Sequence, residues 1–315
     1  MKKYCFGVDV GGTTVKLGLF TPEGEVVEKW EIPTRTENGG SAILPDVAAS
    51  VIEKMKEREI AKEAVIGVGV GVPGPVDDNG IVYKAVNLGW GVMNISGELE
   101  KRLGVTVKAG NDATVAALGE MWCGGGKGCK DVVLATLGTG VGGGIIVNGK
   151  VVTGSKGAGG EIGHMHIVDD EEESCNCGNH GCLEQYASAT GIVRLAKRRL
   201  AASNDASVLR TSQEKNELSA KAVFDAVKDG DKVACEIAEE FGRYLGKGLA
   251  MIAAVVNPEV FVLGGGVSKA GEILCDYVSK YYDKYAFHGC KNAGFKLATL
   301  GNDAGIYGAA KLVLG

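Results

Sequence analysis

Three groups of residues in this chain have the types and spacing of chemical machinery. The first is a pair of glycine-rich turns. Asp9-Val-Gly11-Gly12-Thr13-Thr14 sets a carboxylate just before a run where the backbone can approach an anion closely and a hydroxyl can donate. A carboxylate beside phosphates makes chemical sense when it orients a hydrated Mg²⁺. Leu137-Gly-Thr139-Gly140-Val-Gly-Gly-Gly144 repeats the device, with Thr139 as its hydroxyl. Neither is a P-loop, since no Gly-Lys-Ser/Thr follows. Neither fits the dinucleotide fingerprint, because the returning residues look like strand, not helix. Singly, each is equally well a plain β-hairpin turn. As a pair inside a duplicated framework, they read as phosphate binders.

The second group is Gly110-Asn111-Asp112, at a strand end and a helix start. Helix capping is the ordinary use of such residues. Phosphoryl transfer to an alcohol also needs a carboxylate that accepts the hydroxyl proton. Asp303 occupies the equivalent place in the second half, and it reads mostly as a cap; Asp112 is the catalytic candidate. The third group is Cys175-Asn-Cys177-Gly-Asn-His180-Gly-Cys182. Three thiolates and one imidazole make a common closed zinc set, with His164 or His180 as the fourth ligand. His180 is near in sequence but cramped inside the Cys177–Cys182 loop. His164 follows Gly159-Gly-Glu161-Ile-Gly163, which could fold it back. The alternative is a reduced, buried cysteine group without metal. Four protein ligands leave no place for a metal-bound water, so the metal is structural. The acidic run 169–173 reads as a solvated loop.

The elements that must position these groups recur. Tyr4–Val10, Val15–Phe20 and Glu25–Ile32 read as strands, and Val65–Val72 as a fourth running into Pro73-Gly74-Pro75. Val105–Ala109 leads through Gly110-Asn111-Asp112 into a helix from Ala113 to about Met121. The second half repeats a glycine hairpin after Leu137, a strand into glycines at 263–266, and Gly301-Asn302-Asp303-Ala304 before a last helix. Three punctuation marks in the same order make a duplicated unit the better reading. The second half is longer by His164, the clustered cysteines and helical stretches at Glu184–Ala202, Glu217–Lys228 and Asp231–Val256. The expected division is 1–112 for an N-terminal α/β domain, with the C-terminal helix 303–315 as a candidate to complete it. The remainder, 113–302, forms a larger α/β domain with the zinc-binding and helical insertion. Small-molecule sites favour the cleft between two such domains.

Composition narrows the function classes. The 315 residues carry 34 Lys plus Arg against 39 Asp plus Glu, a net charge of −5, which speaks against nucleic acid as a partner. No apolar run approaches the ~20 residues needed to span a bilayer, and no secretory signal is visible. Nine cysteines, six scattered and three clustered, do not suit a disulfide scaffold, so a cytoplasmic location is expected.

These motifs together resemble the ROK family of bacterial sugar kinases and related repressors, and within it the glucokinases. The most specific segments are Leu137-Gly-Thr-Gly-Val-Gly-Gly-Gly144, Gly157-Ala-Gly-Gly-Glu-Ile-Gly-His164 and Cys175-x-Cys177-Gly-x-x-Gly-Cys182-Leu-Glu184. The resemblance runs from Asp9 to Gly305. It implies a duplicated actin-like, hexokinase-like (ribonuclease H-like) ATPase fold. It implies Asp112 as general base and Asn111, Glu161, His164 and Glu184 as sugar-binding residues. It implies zinc on His164, Cys175, Cys177 and Cys182. Asp9, Gly11, Gly12 and Thr13 match the family's first phosphate segment, Thr139 and Gly140 the second, and Gly264 and Gly265 an adenosine-side turn. The expected reaction is phosphorylation of the 6-hydroxyl of glucose by Mg²⁺–ATP. Another hexose (fructose, mannose or an N-acetylated hexosamine), polyphosphate as donor, and a non-catalytic sugar sensor are the alternatives. Family repressors carry an added N-terminal DNA-binding domain, for which the first strand, beginning almost at Met1, leaves no room. A homodimer or homotetramer is expected from the resemblance alone.

Overall fold

The computed structural model describes residues 3–315. In chain order its first elements are β1 (Tyr4–Val10), β2 (Thr14–Phe20), β3 (Val26–Pro33), α1 (Glu37–Gly40), α2 (Ile43–Glu57), β4 (Val65–Val72), β5 (Ile81–Val82), β6 (Met93–Asn94), α3 (Ile95–Leu103), β7 (Val107–Asn111) and α4 (Asp112–Cys123). Then come β8 (Val132–Leu137), β9 (Val141–Val147), β10 (Lys150–Val151), α5 (Glu184–Ala187), α6 (Ala189–Ala202), α7 (Val208–Glu214), α8 (Ala220–Lys228), α9 (Lys232–Val256), β11 (Val260–Gly264), α10 (Glu272–Tyr285), β12 (Gly294–Leu297) and α11 (Ala304–Leu314). Two five-stranded sheets have the orders β3-β2-β1-β4-β7 and β10-β9-β8-β11-β12, and β5 pairs with β6. In each large sheet the strand before the glycine turn (β1, β8) lies beside a parallel neighbour (β4, β11), which is the repeated pattern.

The chain packs as two compact units. One holds residues up to 130 with 144–160 and 300–315; the other holds 131–143 and 161–299. The boundary expected at 112 falls later, at 130, because α4 stays with the first sheet. The reason is its partner α11. Gly119 and Gly308 let these two helices approach until an added Cβ at Gly308 would stand 1.5 Å from the Val115 carbonyl oxygen. The sheet accepts α11 in the same way: a Cβ at Gly7 would meet the Ile306 oxygen at 1.9 Å, and one at Gly69 the Ala309 oxygen at 1.7 Å. Strand residues alternate between faces. Phe6 and Val8 therefore join Ile43, Val47, Val51 and Leu99 in one core, while Cys5 joins Phe20, Ile306, Ala310 and Val313 in another.

In the second unit α9 is the central support. Val233, Ile237, Phe241, Leu245 and Leu249 recur at helical spacing and are all buried. Its start is capped by Asp231, and Asn257 ends it in the left-handed region. The stretch read as one helix over Glu184–Ala202 is two. Ser188 takes an extended conformation between α5 and α6, and its hydroxyl accepts from the Gly191 N–H at 2.9 Å, starting the second helix afresh. The stretch read as helical from Glu217 begins at Ala220, after the Ser219 cap. Asp303 does not cap α11. It accepts instead from Lys29 Nζ at 2.6 Å, an ion pair across the first sheet that no local pattern announces.

Candidate functional site

In the first unit, β1, β4 and β7 run parallel with aligned C-terminal ends. Asp9 is opposite Gly71, and Gly71 is opposite Gly110, so Asn111 and Asp112 lie one and two steps past that row. Adjacent strands are about 4.8 Å apart, which sets Asp9 and the end of β7 roughly 10 Å from one another. Asn111 is held at both ends of its amide: Oδ1 accepts from the Thr114 N–H at 3.2 Å and Nδ2 donates to the Gly74 carbonyl at 3.1 Å. It is the N-cap of α4, which leaves Asp112 in the first helical turn. One Asp112 oxygen accepts from the Ala113 N–H at 2.8 Å.

Both carboxyls are shifted upward. Asp9 is pushed up to about 6 by burial and then by the charge of Asp112, with Lys16 opposing. Asp112 is crowded by protein although its tip reaches solvent, and that burial raises it too, against the hydrogen bond from Ala113. Asp9 sits against the first turn of α11, where a Cβ at Gly305 would come within 2.5 Å of its Oδ2. The turn at Gly11, Gly12 and Thr13 is braced by Thr34, whose hydroxyl donates to the Gly11 carbonyl at 2.7 Å and whose N–H donates to the Thr13 carbonyl at 2.9 Å. Gly12 has an ordinary φ, and an added Cβ would meet nothing nearer than Asn87 Cβ at 3.9 Å. The chain's own packing therefore gives no reason for glycine there.

In the second unit the turn after β8 is braced by the start of α6. The Thr190 hydroxyl donates to the Thr139 carbonyl at 2.7 Å, and the Ala189 N–H to the Gly138 carbonyl at 2.8 Å. Gly264 pairs with Thr136, and Gly265, at φ +80°, presses on Leu137, where a Cβ would stand 2.5 Å from the carbonyl oxygen. Thr139, Gly140, Gly264 and Gly265 thus come together at neighbouring strand ends. Glu184 ties this turn to the cysteines. Its Oε2 accepts from the Val141 N–H at 3.4 Å and would lie 2.5 Å from a Cβ on Gly140. Its Oε1 accepts from the Cys175 thiol at 2.9 Å and is 3.7 Å from His164 Nδ1. Glu161 is exposed and immediately precedes the short turn 162–164 that carries His164.

The ligand atoms of His164, Cys175, Cys177 and Cys182 all lie within 4.8 Å of one another. Cys177 and Cys182 sulfurs are 3.6 Å apart, and Cys175 Sγ is 3.7 Å from His164 Nδ1. A tetrahedral zinc with bonds near 2.3 Å to sulfur requires ligand separations of about 3.8 Å. The donor set and its spacing fit the metal. His180 is excluded from the set: its Nδ1 meets the Glu171 carbonyl at 3.1 Å and its Nε2 the Ser174 hydroxyl at 3.4 Å. A backbone N–H from Asn179 lowers the Cys177 thiol, while burial raises Cys175 and Cys182.

The acidic run 169–173 is not simply solvated. Glu171 is buried, and its carboxylate is held by Tyr186, Arg194 and Arg198. These hydrogen bonds outweigh burial and bring it down to about 2. Charge density alone hides it; the signal is Arg194 and Arg198 at i and i+4 on one face of α6. A cavity of about 540 Å³ in the first unit is walled by residues such as Ser96, Lys108, Thr114 and Leu312, none of them a candidate.

Comparison with known proteins bears on this arrangement. The family model described as "ROK family" matches residues 5–315. A glucokinase from Halalkalibacterium halodurans is 42% identical over 313 residues, covering 99% of this chain and 95% of that protein. A glucokinase from Thermotoga maritima is 36% identical over 315 residues, covering 99% and 98%. The crystal structure of a ROK family glucokinase from Streptomyces griseus, in complex with glucose and AMPPNP, matches with a TM-score of 0.74 at 34% identity, covering 98% of each chain. The two-sheet pattern is the actin-like, hexokinase-like ATPase fold of those structures. The chain belongs to the ROK family.

Proposed function

We propose that this chain transfers the γ-phosphoryl group of ATP to the 6-hydroxyl of glucose. The supporting observation is the 42% identity to a glucokinase over nearly the full length, joined to a carboxylate pair at the strand ends of the first unit. In this reading Asp112 accepts the 6-hydroxyl proton as the oxygen attacks phosphorus in line. Asn111, fixed by its two backbone bonds, supplies a hydroxyl contact beside it. His164 and Glu184 take further hydroxyls, together with Glu161. Gly11, Gly12 and Thr13 receive phosphate oxygens on backbone N–H groups and a hydroxyl, as do Thr139 and Gly140, and Gly264 and Gly265 border the nucleoside.

Asp9 would hold the hydrated Mg²⁺ that neutralises charge on the phosphates. His164, Cys175, Cys177 and Cys182 would hold zinc as a structural ion. Were Nδ1 its metal ligand, His164 would keep Nε2 for a sugar hydroxyl, and the ion would fix the ring that makes this substrate contact. Carboxylates accepting from neighbouring hydroxyls lose those bonds with an epimer, a loss most costly at the half-buried Glu184.

A panel of hexoses with either ATP or polyphosphate tests the assignment. The expected result is the highest kcat/KM for glucose with ATP. A higher value for fructose, mannose or an N-acetylated hexosamine would move the substrate, and preference for polyphosphate would move the donor.

A further inference from the structure

The Glu171 cluster has a geometry that a surface loop does not need. Glu171 lies between His164 and Cys175 in the chain. Its carboxylate accepts from the Tyr186 hydroxyl and from Arg194, and Arg198 Nη2 reaches both of its oxygens at 3.2 Å. Arg194 Nε also meets Glu173 at 2.9 Å, and the guanidinium lies 5.4 Å from the centre of the Tyr186 ring. Tyr186 is two residues beyond Glu184 on the single turn of α5. Between them, Gln185 closes the frame. Its Nε2 donates to the Glu173 carbonyl at 2.8 Å and its Oε1 accepts from the Cys182 N–H at 3.0 Å.

The consequence is that both ends of the cysteine loop, at 173 and at 182, are fastened to α5 and α6 by bonds that involve none of the four metal ligands' side chains. We infer that Glu171 is a positioning residue for sugar binding: through Tyr186, Arg194 and Arg198 it holds the cysteine loop and α5 in register, and so fixes the direction of Glu184 and His164. The inference rests on the sugar-kinase reading above. A carboxylate bridging two guanidiniums and a phenol is rigid because each donor restricts the others. Groups bonded directly to a metal ligand commonly alter affinity or activity by about 10–100-fold when removed; Glu171 acts one step further out, so its effect belongs at the low end of that range.

The test is Glu171→Gln in the full chain loaded with zinc, alongside Tyr186→Phe, which deletes one hydroxyl and keeps the ring. Three quantities are measured: KM for glucose, KM for Mg²⁺–ATP, and the rate at which zinc passes to a chromophoric chelator. The expected result for Glu171→Gln is a glucose KM raised 10-fold or more, an ATP KM within twofold, and zinc transfer at least 10-fold faster. Tyr186→Phe is expected to raise the glucose KM threefold or more, and it carries the test if Glu171→Gln does not fold. A lowered melting temperature with an unchanged glucose KM and zinc-transfer rate would overturn the inference, leaving the cluster a stabilising ion pair. If the parent protein phosphorylates no hexose, the kinase reading fails, while the zinc-transfer comparison still decides the role of Glu171 in the loop.

Discussion

Asp9 lies at the end of β1, Asp112 opens α4 just past the end of β7, and β4 separates the two strands; Asp9 feels its own burial and then the charge of Asp112. A carboxyl raised to about 6 when folded, against 3.8 ordinarily, binds its proton more tightly in the native state. Its contribution to stability is therefore full below pH 3.8 and disappears as pH rises through about 6. Two outcomes follow. In the proposed role Asp9 acts as an anion beside Mg²⁺, so kcat/KM falls on the acid side as Asp9 protonates, and raising Mg²⁺ moves that fall to lower pH, measured as initial rates from pH 5 to 8 at two Mg²⁺ concentrations. Asp9→Asn removes the cost of the buried charge, and should raise the melting temperature at pH 7.5 while activity drops. A variant that is both less stable and fully active would contradict the role.

Glu171 has the opposite sign. Its folded value of about 2, below 4.5, means it stabilises the native state above pH 4.5 and that this support is lost as pH falls toward 2. Urea titrations between pH 5 and 2.5 should show the stability of Glu171→Gln changing less with pH than that of the parent protein.

At the scale of elements, glycines set distances that side chains would spoil. Gly308→Ala puts a methyl group 1.5 Å from the Val115 carbonyl oxygen, on backbone that cannot yield without moving α4 or α11. Overpacking of this kind costs about 1–3 kcal/mol or more. The expected result is a melting temperature lower by several degrees, or loss of soluble protein, while Gly12→Ala, in open space, keeps the fold and instead weakens nucleotide binding. Thermal melts and nucleotide titrations of the two variants separate these effects.

The same scale shows what was legible in the chain. The hairpins and strand ends were, because turn and cap chemistry is local: glycine pairs after an apolar run, Asn111 before a helix. The break at Ser188 was not, since an apolar pattern runs on through α5 and α6 and only the hydroxyl bond to Gly191 marks the restart. The position of Asp303 before a helix suggests a cap, but its partner Lys29 is 274 residues away. Glu171 was lost in an acidic run for the same reason, with Arg198 27 residues off. Long-range charge pairing leaves no period in a sequence, whereas packing and capping do.

At the scale of the whole molecule, the two units carry different reporters. The chain's three tryptophans, Trp30, Trp90 and Trp122, all fall in the first unit, and the cysteine set falls in the second. Chelation of zinc should therefore lower a calorimetric unfolding transition by several degrees and move the tryptophan fluorescence transition less. Equal displacement of both signals would mean that the two units melt together.

The kinase reading is tested most directly by the product and its dependence on one carboxylate. Purified protein, glucose and Mg²⁺–ATP are followed by ³¹P and ¹³C NMR, and the rate is compared with that of Asp112→Asn, whose glucose affinity is measured in parallel by calorimetry. The account predicts glucose 6-phosphate formed one for one with ADP. It also predicts turnover reduced by about 10²–10⁴ in the variant, as loss of a general base requires, with glucose still bound. No 6-phosphate from the parent protein, or a variant turning over within threefold of it, would contradict the account.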